Sequence, residues 1–285
     1  ACDSKTYFTT LDDVKPIYEP REKFSHKGTY GHALIAGGSE GKMGAVILAV
    51  KACMRAGAGL TSVHLPKCGT EIMQKSLPEA MVSIDSNEKY ISDTIHTEKY
   101  NAVGVGPGMG TEKQTAVFLK LLIQNCSLPM VLDADALNIL SENKTWLSFL
   151  PAGSILTPHP KEFDRLAGSH TSGFERWISQ KEFYVKHGVH VVLKGANTSV
   201  TCPDGTTCFN STGNPGMAKG GSGDALTGII TALLAQKYAA RDAAILGVYI
   251  HGLAGDIAAK KKGEESMIAS DLIDELGEAF GKLKV

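Results

Sequence analysis

The stretch GNPGMAKGGSGD, residues 213–224, combines a glycine-rich run with one carboxylate, Asp224, and the helix-forming sequence ALTGIITALLAQ follows it directly. A helix that begins near Gly221 leaves its first backbone N–H groups unpaired, and these donors together with the helix dipole form a site for an anion. Glycines allow a phosphate to approach the backbone closely. The pattern therefore predicts a phosphate site with Asp224 in the first turn of the helix beside it.

A carboxylate at this position suits the task of taking a proton from a hydroxyl group that attacks a phosphoryl group. The backbone N–H groups would stabilise the charge on the transferring group. The alternative is that Asp224 only caps the helix. The run has neither the G-x-x-x-x-G-K-[ST] order of a P-loop nor the G-x-G-x-x-G order of a dinucleotide-binding turn, so neither fold is indicated by motif.

Short apolar segments alternate with longer segments of helical periodicity along the chain. The predicted strands are 32–37, 60–66, 102–108, 129–137, 153–160 and 189–195, with a hairpin over 198–210 that turns at Pro203-Asp204-Gly205. The predicted helices are 44–59, 114–125, 173–188, 221–236, 240–260 and 270–283, the last with Ser270 as its N-cap. This alternation is typical of an α/β fold in which helices cover both faces of a parallel sheet.

In such a sheet, ligands bind beyond the carboxyl ends of the strands. The residues of unusual type follow predicted strands: Gly37-Gly38, Gly106 to Gly108, Asp133 to Asp135, His159, and Lys194-Gly195. We therefore expect the chemistry to lie in these loops, together with the glycine run.

The composition excludes several classes of function. The chain has 285 residues, of which 43% are hydrophobic and 21% charged, and its net charge is −1, so no nucleic-acid or membrane partner is indicated. With no signal peptide and no apolar run of about 18 residues in view, we expect a cytoplasmic protein. The cysteines lack C-x-x-C or zinc-type spacing, so we expect reduced thiols and predict no metal ligands; they stand at positions 2, 53, 68, 126, 202 and 208.

The segment NPGMAKGGSGDALTG resembles the signature of the ADP/ATP-dependent NAD(P)H-hydrate dehydratases, members of the ribokinase-like superfamily. Further segments agree with that family in order: HKGTYG (26–31), GKMGA (41–45), AGAGL (56–60), GPGMG (106–110), DADAL (133–137), TPHPKE (157–162), LKGANT (193–198) and HGLAGD (251–256). The resemblance covers about residues 25–280. Two positions depart from it: the family usually has Gly where Lys161 stands, and often a small polar residue where Lys219 stands.

The resemblance implies a three-layer α/β/α fold with a mainly parallel central sheet, forming a single ribokinase-like domain over residues 1–285. It implies an enzyme that repairs NADH and NADPH hydrated on the nicotinamide ring (NADHX and NADPHX). ADP or ATP, with Mg²⁺, phosphorylates the ring hydroxyl, and phosphate then leaves, because phosphate is a far better leaving group than hydroxide. It also implies a homotetramer that works with an NAD(P)H-hydrate epimerase, either separate or fused upstream.

The resemblance also assigns roles to individual positions. Asp224 would be the general base, with Gly221 and Gly223 in the catalytic segment. The substrate-binding positions would be Ala45, Gly108, His159 and Asp224. The nucleotide-binding positions would be Lys194, Gly195, Ala196, Asn197, Thr198, Asn214, Pro215, Gly216, Met217, Ala218, Lys219, Gly220, Gly221, Ser222 and Gly223.

Several polar residues have two interpretations. Asp133, Asp135 and Asn138 would either help to organise Mg²⁺ through water or cap the helix that follows them. His251 and Asp256 lie on a predicted helix, and we expect them to support the glycine run rather than to act in catalysis.

Two other functions also fit the glycine run. A small-molecule hydroxyl kinase of the same superfamily would use the run and Asp224 in the same way, although HKGTYG, GPGMG and TPHP resemble the dehydratases specifically. A non-catalytic nucleotide-binding protein is disfavoured, because the run is complete and ends in Asp224.

Overall fold

The computed structural model describes residues 5–202 and 204–284. All strands in those residues join one ten-stranded sheet, in the order β1-β10-β9-β8-β7-β6-β5-β2-β3-β4. The strands are β1 (Thr6–Thr9), β2 (His32–Ala36), β3 (Leu60–Leu65), β4 (Met81–Ile84), β5 (Ala102–Val105), β6 (Met130–Leu132), β7 (Ile155–Leu156), β8 (His190–Leu193), β9 (Ser199–Thr201) and β10 (Thr207–Asn210).

The sheet is mainly parallel, as expected. Only the pairs β8–β9 and β9–β10 are antiparallel among the strands that the structure describes. These two pairs include the predicted hairpin; Pro203 of its turn lies outside the described residues, as does Cys2. Because the other neighbours run parallel, the carboxyl ends of β2, β5, β6, β7 and β8 meet along one edge of the sheet.

Helices cover both faces of the sheet. They are α1 (Leu11–Val14), α2 (Met43–Arg55), α3 (Thr70–Ser76), α4 (Lys113–Asn125), α5 (Ala134–Glu142), α6 (Pro160–Ala167), α7 (Gly173–His187), α8 (Ser222–Ala235), α9 (Ala240–Lys262), α10 (Ala269–Asp274) and α11 (Leu276–Gly281). Within β2, Ala33 and Ile35 join the hydrophobic core under α2, α8 and α9, whereas Leu34 and Ala36 join the core under α4, α5 and α6. Alternate side chains of a strand point to opposite faces, so both faces are buried and the three-layer α/β/α fold is confirmed.

Helix α8 lies at the centre of one of these cores, with every residue from Ala225 to Ala235 buried. It packs so closely against α2 that a Cβ on Gly228 would lie 2.0 Å from the carbonyl oxygen of Ala49. This contact places the first turn of α8, which follows the glycine run, firmly at the edge of the sheet.

Helix α9 differs from the sequence expectation in one respect. We expected no apolar run of about 18 residues, but α9 is long and apolar enough to cross a membrane by length and composition. Within the fold, 78% of its apolar window is buried. It is therefore a core helix that packs beside α8.

The prediction of one helix over 270–283 was wrong in two respects: where the helix starts, and that it is a single helix. It begins at Ala269 with Ile268 as its N-cap, so Ser270 lies inside the first turn instead of capping it. The Asp271 carboxylate accepts the hydrogen bond of the Ile268 N–H at 2.9 Å, which supports this earlier start of the helix. The chain then divides into α10 and α11 at Glu275. Sequence analysis also missed the short elements β1, β4, α1, α3 and α6. The predicted strand over 129–137 was too long, since β6 ends at Leu132 and α5 begins at Ala134.

The cysteines within the described residues are free thiols, as expected. Burial raises the pKa of Cys53 and of Cys202 to about 12, so both remain protonated at neutral pH. They fill space in the core like small apolar side chains.

Candidate active site

The glycine run leads directly into helix α8. Gly221 is its N-cap and has a left-handed backbone, with φ of +94°. A Cβ at Gly221 would also lie 2.6 Å from Leu48 Cδ1, so both the conformation and the packing require glycine. Asp224 lies in the first turn, as predicted.

Backbone donors at this helix start are available for an anion. Across the described part of the chain, no group accepts a hydrogen bond from the N–H groups of Gly220, Gly221, Ser222 or Gly223. Such a set of N–H groups at a helix N-terminus, together with the helix dipole, attracts a phosphate.

Helix α9 supports the glycine run at two points. The His251 Nε2 donates to the carbonyl oxygen of Ser222 at 2.9 Å, and the Asp256 carboxylate accepts from Gly213 N at 3.0 Å and Asn214 Nδ2 at 2.9 Å. Burial lowers the pKa of His251 to about 4, so the ring is neutral and Nε2 carries its proton. The geometry agrees with the supporting role expected for His251 and Asp256.

Lys219 turns its ammonium group towards a backbone loop. It donates to the carbonyl oxygens of Glu265 and Met267, the latter at 2.8 Å. These contacts tie the middle of the run to the segment that precedes α10. Because the ammonium group is engaged in this way, only the backbone of Lys219 is left for the predicted contact with a nucleotide.

Below the first turn of α8 lies a partly buried ion pair, in which Asp133 is buried and the Lys194 side chain is 21% exposed. The Lys194 Nζ donates to Asp133 Oδ1 at 2.7 Å, and Thr227 Oγ1 donates to Asp133 Oδ2 at 2.9 Å. A Cβ on Gly223 would lie 3.2 Å from Lys194 Nζ, so the missing side chain leaves room for the ammonium group. Lys194 therefore does more than follow the end of β8, because its ammonium group is held by Asp133 beside the start of α8.

Charges around Asp224 tune its affinity for a proton. Burial and the nearby Asp133 carboxylate raise the pKa of Asp224 from 3.8 to about 6, while Lys194 opposes this rise. Burial disfavours the charge of Lys194, but Asp133 and Glu162 outweigh it and raise the pKa of the ammonium group. Asp224 is therefore a stronger base than an exposed carboxylate and is still ionised at neutral pH.

A strained turn sends the two carboxylates of the DADAL motif in different directions. Ala134 has a left-handed φ of +47° although it is not glycine. On one side, Asp133 faces Lys194, as described. On the other, Asp135 accepts from Gly110 N at 2.9 Å and from Asn138 Nδ2 at 3.2 Å. Neither carboxylate caps α5, since the Asp133 side chain makes no capping hydrogen bond.

The same contacts bear on Mg²⁺. Both oxygens of Asp133 already accept hydrogen bonds, and among the described residues there is no cluster of three or more His, Cys, Asp or Glu side chains suited to a metal ion. Mg²⁺ commonly keeps several waters and binds through substrate phosphates with one or two carboxylates. This donor set fits such an ion, held mainly by nucleotide phosphates and water, better than an all-protein cage.

The predicted substrate positions Ala45 and Gly108 lie in contact. Gly108 has a φ of +61°, and a Cβ there would lie 3.1 Å from Ala45 Cβ and 2.7 Å from the carbonyl oxygen of Lys42. Ser39 Oγ donates to the carbonyl oxygen of Gly108 at 2.8 Å and fixes the loop. The backbone of Gly108 therefore packs closely against Lys42 and the methyl group of Ala45 at the start of α2.

His159 has a structural role in addition to its predicted contact with substrate. It is the N-cap of α6, where its Nδ1 accepts from Lys161 N at 3.1 Å and Glu162 N at 3.3 Å. Burial, followed by the charges of Lys194 and Arg165, lowers the pKa of His159, so the neutral ring carries its proton on Nε2. The His159 side chain is 44% exposed and its Nε2 lies 3.4 Å from Glu162 Oε1, without a hydrogen bond between them, so the Nε2–H can donate to a ligand.

The predicted nucleotide segment after β8 is an exposed turn over residues 195–197. Thr198 Oγ1 donates to the carbonyl oxygen of Gly195 at 3.1 Å and closes it. Asn210, which precedes the glycine run, donates its backbone N–H to the carbonyl oxygen of Thr198 at 2.9 Å. The structure thus brings both predicted nucleotide segments side by side.

Two buried residues of the site were missed by sequence reasoning. Thr227 lies one turn after Gly223, and Glu162 lies 3.9 Å from Lys194 Nζ while accepting from His159 N at 2.7 Å. The H-x-x-E spacing of His159 and Glu162 is that of a capping box and was visible in TPHPKE.

Solved structures define the class of protein. The ADP/ATP-dependent NAD(P)H-hydrate dehydratase from Bacillus subtilis, co-crystallised with ATP and Mg²⁺, is similar with a TM-score of 0.85 and 29% identity, over 99% of this chain and 100% of that one. A ribokinase from Thermotoga maritima is similar in fold alone, with a TM-score of 0.57 and 12% identity. The chain therefore has a ribokinase-like fold.

Sequence comparison gives the family. A family model described as NAD(P)H-hydrate dehydratase matches residues 33–278. The ADP-dependent (S)-NAD(P)H-hydrate dehydratase of Bacillus subtilis (strain 168) is 34% identical over 272 residues, which cover 94% of this chain and 96% of that protein. The chain belongs to the NAD(P)H-hydrate dehydratase family.

Some relatives are much longer. The bifunctional NAD(P)H-hydrate repair enzyme Nnr of Moorella thermoacetica is 39% identical over 268 residues, which cover 90% of this chain and 50% of that enzyme. The chain thus spans about half the length of the bifunctional relatives that it matches.

Proposed function

We propose that this chain dehydrates NADHX and NADPHX to NADH and NADPH, with ADP or ATP as the phosphoryl donor. The observation that carries the proposal is the placement of Asp224 in the first turn of α8, beside N–H groups that have no acceptor in the described chain. A phosphoryl group bound there and a hydroxyl group at Asp224 would stand next to each other.

The reaction has two stages. In the first stage, Asp224 takes the proton of the ring hydroxyl while the hydroxyl oxygen attacks the terminal phosphorus of the nucleotide. The bond from that phosphorus to the rest of the nucleotide breaks. The ring nitrogen then supplies an electron pair as the carbon–oxygen bond breaks and phosphate leaves. Loss of a proton from the neighbouring ring carbon restores the double bond.

The positions assigned to each ligand fall into two groups. The N–H groups of Gly220 to Gly223 would hold the transferring phosphoryl group, while the turn after Lys194 and the run from Asn214 would hold the nucleotide. Ala45 and Gly108 would admit the nicotinamide ring closely, and the Nε2–H of His159 would donate to it. Mg²⁺, when bound, would neutralise charge on the nucleotide phosphates.

We also propose the wider setting of the enzyme. It would act as one domain in a cytoplasmic homotetramer and would receive its substrate epimer from an NAD(P)H-hydrate epimerase, separate or fused upstream. The names of the bifunctional relatives support a link to a second repair activity. Sedimentation velocity tests the tetramer directly.

The decisive experiment follows the near-ultraviolet absorbance of reduced nicotinamide during incubation with NADHX or NADPHX, Mg²⁺ and either ADP or ATP. Growth of this band only when a nucleotide is present supports the proposal. Accumulation of a stable phosphorylated product without the band would instead identify a hydroxyl kinase. Nucleotide binding with neither product would identify a non-catalytic protein.

A further inference from the structure

Three cationic side chains stand at the outer edge of the site, around the predicted substrate positions. Lys42 precedes α2, and its backbone carbonyl and Cβ lie beside Gly108. Lys161 and Arg165 are exposed residues of α6, the helix that His159 caps. All three are on elements that follow carboxyl ends of parallel strands, where ligands bind in such sheets.

A chain of polar groups joins two of these cations. Arg165 Nη2 donates to Asn138 Oδ1 at 2.6 Å, and Asn138 Nδ2 donates to Asp135 Oδ1 at 3.2 Å. The other oxygen of Asp135 lies 3.7 Å from Lys42 Nζ. Asp135 and Asn138 therefore set the spacing between the Gly108 loop and α6.

Most of this positive charge is uncompensated. Within the described residues, neither Lys161 nor Arg165 has a carboxylate within 4.0 Å, and Lys42 has only Asp135 at the limit of that range. Lys161 also lies in the first turn of α6, where a cation opposes the helix dipole. Local stability accounts for Arg165, which suits the dipole in the last turn of α6, but it does not account for Lys161, and this favours an anionic ligand beside Lys161.

The field of these side chains reaches the ring of His159. After burial and Lys194, the charges of Arg165 and Lys161 contribute to lowering the pKa of His159. A ligand that contacts the His159 ring would therefore have its neighbouring groups within range of both cations.

We propose that Lys42, Lys161 and Arg165 form a phosphate-binding rim for the dinucleotide substrate, outside the glycine run that takes the phosphoryl donor. This inference rests on the proposed function. Hydrated NADH carries a pyrophosphate, and hydrated NADPH carries a further phosphate that adds about 1.5 to 2 negative charges. In both cases exposed cations would recognise phosphate. Experiment can distinguish the pyrophosphate from the additional phosphate of hydrated NADPH.

The test uses the intact protein and the fluorescence of NADH and NADPH to measure their dissociation constants, together with KM for NADHX and NADPHX. We expect Lys161→Gln and Lys42→Gln each to weaken binding about two- to fivefold, with a larger loss in the double variant. The KM for ATP should remain at its wild-type value. The matched control is Lys186→Gln, an exposed lysine in the last turn of α7, which precedes β8 at the other end of the sheet.

Each outcome bears on the rim. Equal losses for NADH and NADPH would assign it to the pyrophosphate, and a loss confined to NADPH would assign it to the additional phosphate. Wild-type affinity for both dinucleotides in the double variant would overturn the proposal. If the wild-type protein bound NADPH but restored no reduced nicotinamide with any donor, the proposed function would fail while the rim would still be tested by binding.

Discussion

On the proposed phosphoryl side of the site, a partly buried ion pair and two side chains of α9 support the glycine run. Asp133, Lys194 and Thr227 connect the ends of β6 and β8 with the first turn of α8. On the substrate side, Gly108 meets Ala45 with little side chain between them, and exposed cations surround this contact. The first region is organised by buried charge, the second by close backbone approach.

This difference has a physical reason. Phosphoryl transfer gains most from groups that are fixed before the reaction begins, and a buried network fixes them. A dinucleotide combines an uncharged ring with charged phosphates, so its binding site needs space for the ring and an exposed edge for the phosphates. Variants on the two sides should therefore fail in different ways, kcat on the first and KM on the second.

The largest effect is expected for Asp224→Asn. Loss of the base should lower kcat by about a thousandfold, while nucleotide binding to the backbone N–H groups changes little. Steady-state kinetics and calorimetric titration with ATP measure the two quantities. The control is Asp242→Asn in the first turn of α9, far along the chain from the glycine run. Normal turnover of Asp224→Asn would exclude our mechanism.

The same variant should gain stability. The pKa of Asp224 is raised from 3.8 to about 6 in the fold, so its ionised form destabilises the protein above that pH. Asp224→Asn should therefore unfold with a free energy about 2 kcal/mol higher at neutral pH, and the gain should vanish as the pH falls towards 4. Urea unfolding at several pH values checks this. A gain that grew in acid would contradict the burial of this carboxylate.

A pair of glycine variants compares the two sides directly. Gly221→Ala combines a left-handed backbone with a clash at Leu48, and we expect a loss of about 3 kcal/mol in stability together with a fall in kcat. Gly108→Ala, with φ of +61° and a Cβ 2.7 Å from the carbonyl oxygen of Lys42, should also lose stability, but its kinetic defect should be a higher KM for the hydrated dinucleotide. Gly188→Ala has a similar φ and open space around it, so it measures the conformational cost alone, about 1 kcal/mol. Identical kinetic defects in the first two variants would remove the distinction between the sides.

The pH dependence of kcat/KM tests the charges below Asp224. The rate should fall as the pH drops through about 6, because Asp224 must be ionised to act as a base. Asp133→Asn removes a neighbouring negative charge and should move this acidic limb to lower pH. Lys194→Met removes a positive charge and should move it to higher pH, by about one unit in each case. Shifts in the same direction for both would refute the arrangement.

The smallest effect separates the two roles of His159. His159→Ala should lose both the cap of α6, about 1 kcal/mol, and the donor at Nε2. His159→Asn keeps a capping oxygen, so it should recover most of the stability but not the affinity for substrate. Thermal unfolding and KM for NADHX measure these separately. Full recovery of KM with Asn would leave His159 with a structural role alone.

Much of the fold was visible in local patterns. The alternation of apolar strands and periodic helices predicted the α/β sheet, and the sequence near Gly221 predicted the start of α8 with Asp224 in its first turn. The prediction of Ser270 as an N-cap failed, because the helix begins earlier, at Ala269, with Ile268 as its N-cap and the carboxylate of Asp271 accepting the Ile268 N–H. Short elements such as β4 at the sheet edge carried too little periodicity to be found.

The sequence by itself determined where the start of α8 and its carboxylate, Asp224, would form, because these depend on glycines and a helix start within a few consecutive residues. Only the tertiary structure decided the charge environment of Asp224. The Lys194 and Asp133 side chains are separated by 61 positions in the chain and meet because β6 and β8 deliver them to the same edge. Burial and neighbouring charge set a pKa, and both arise only when distant segments pack together.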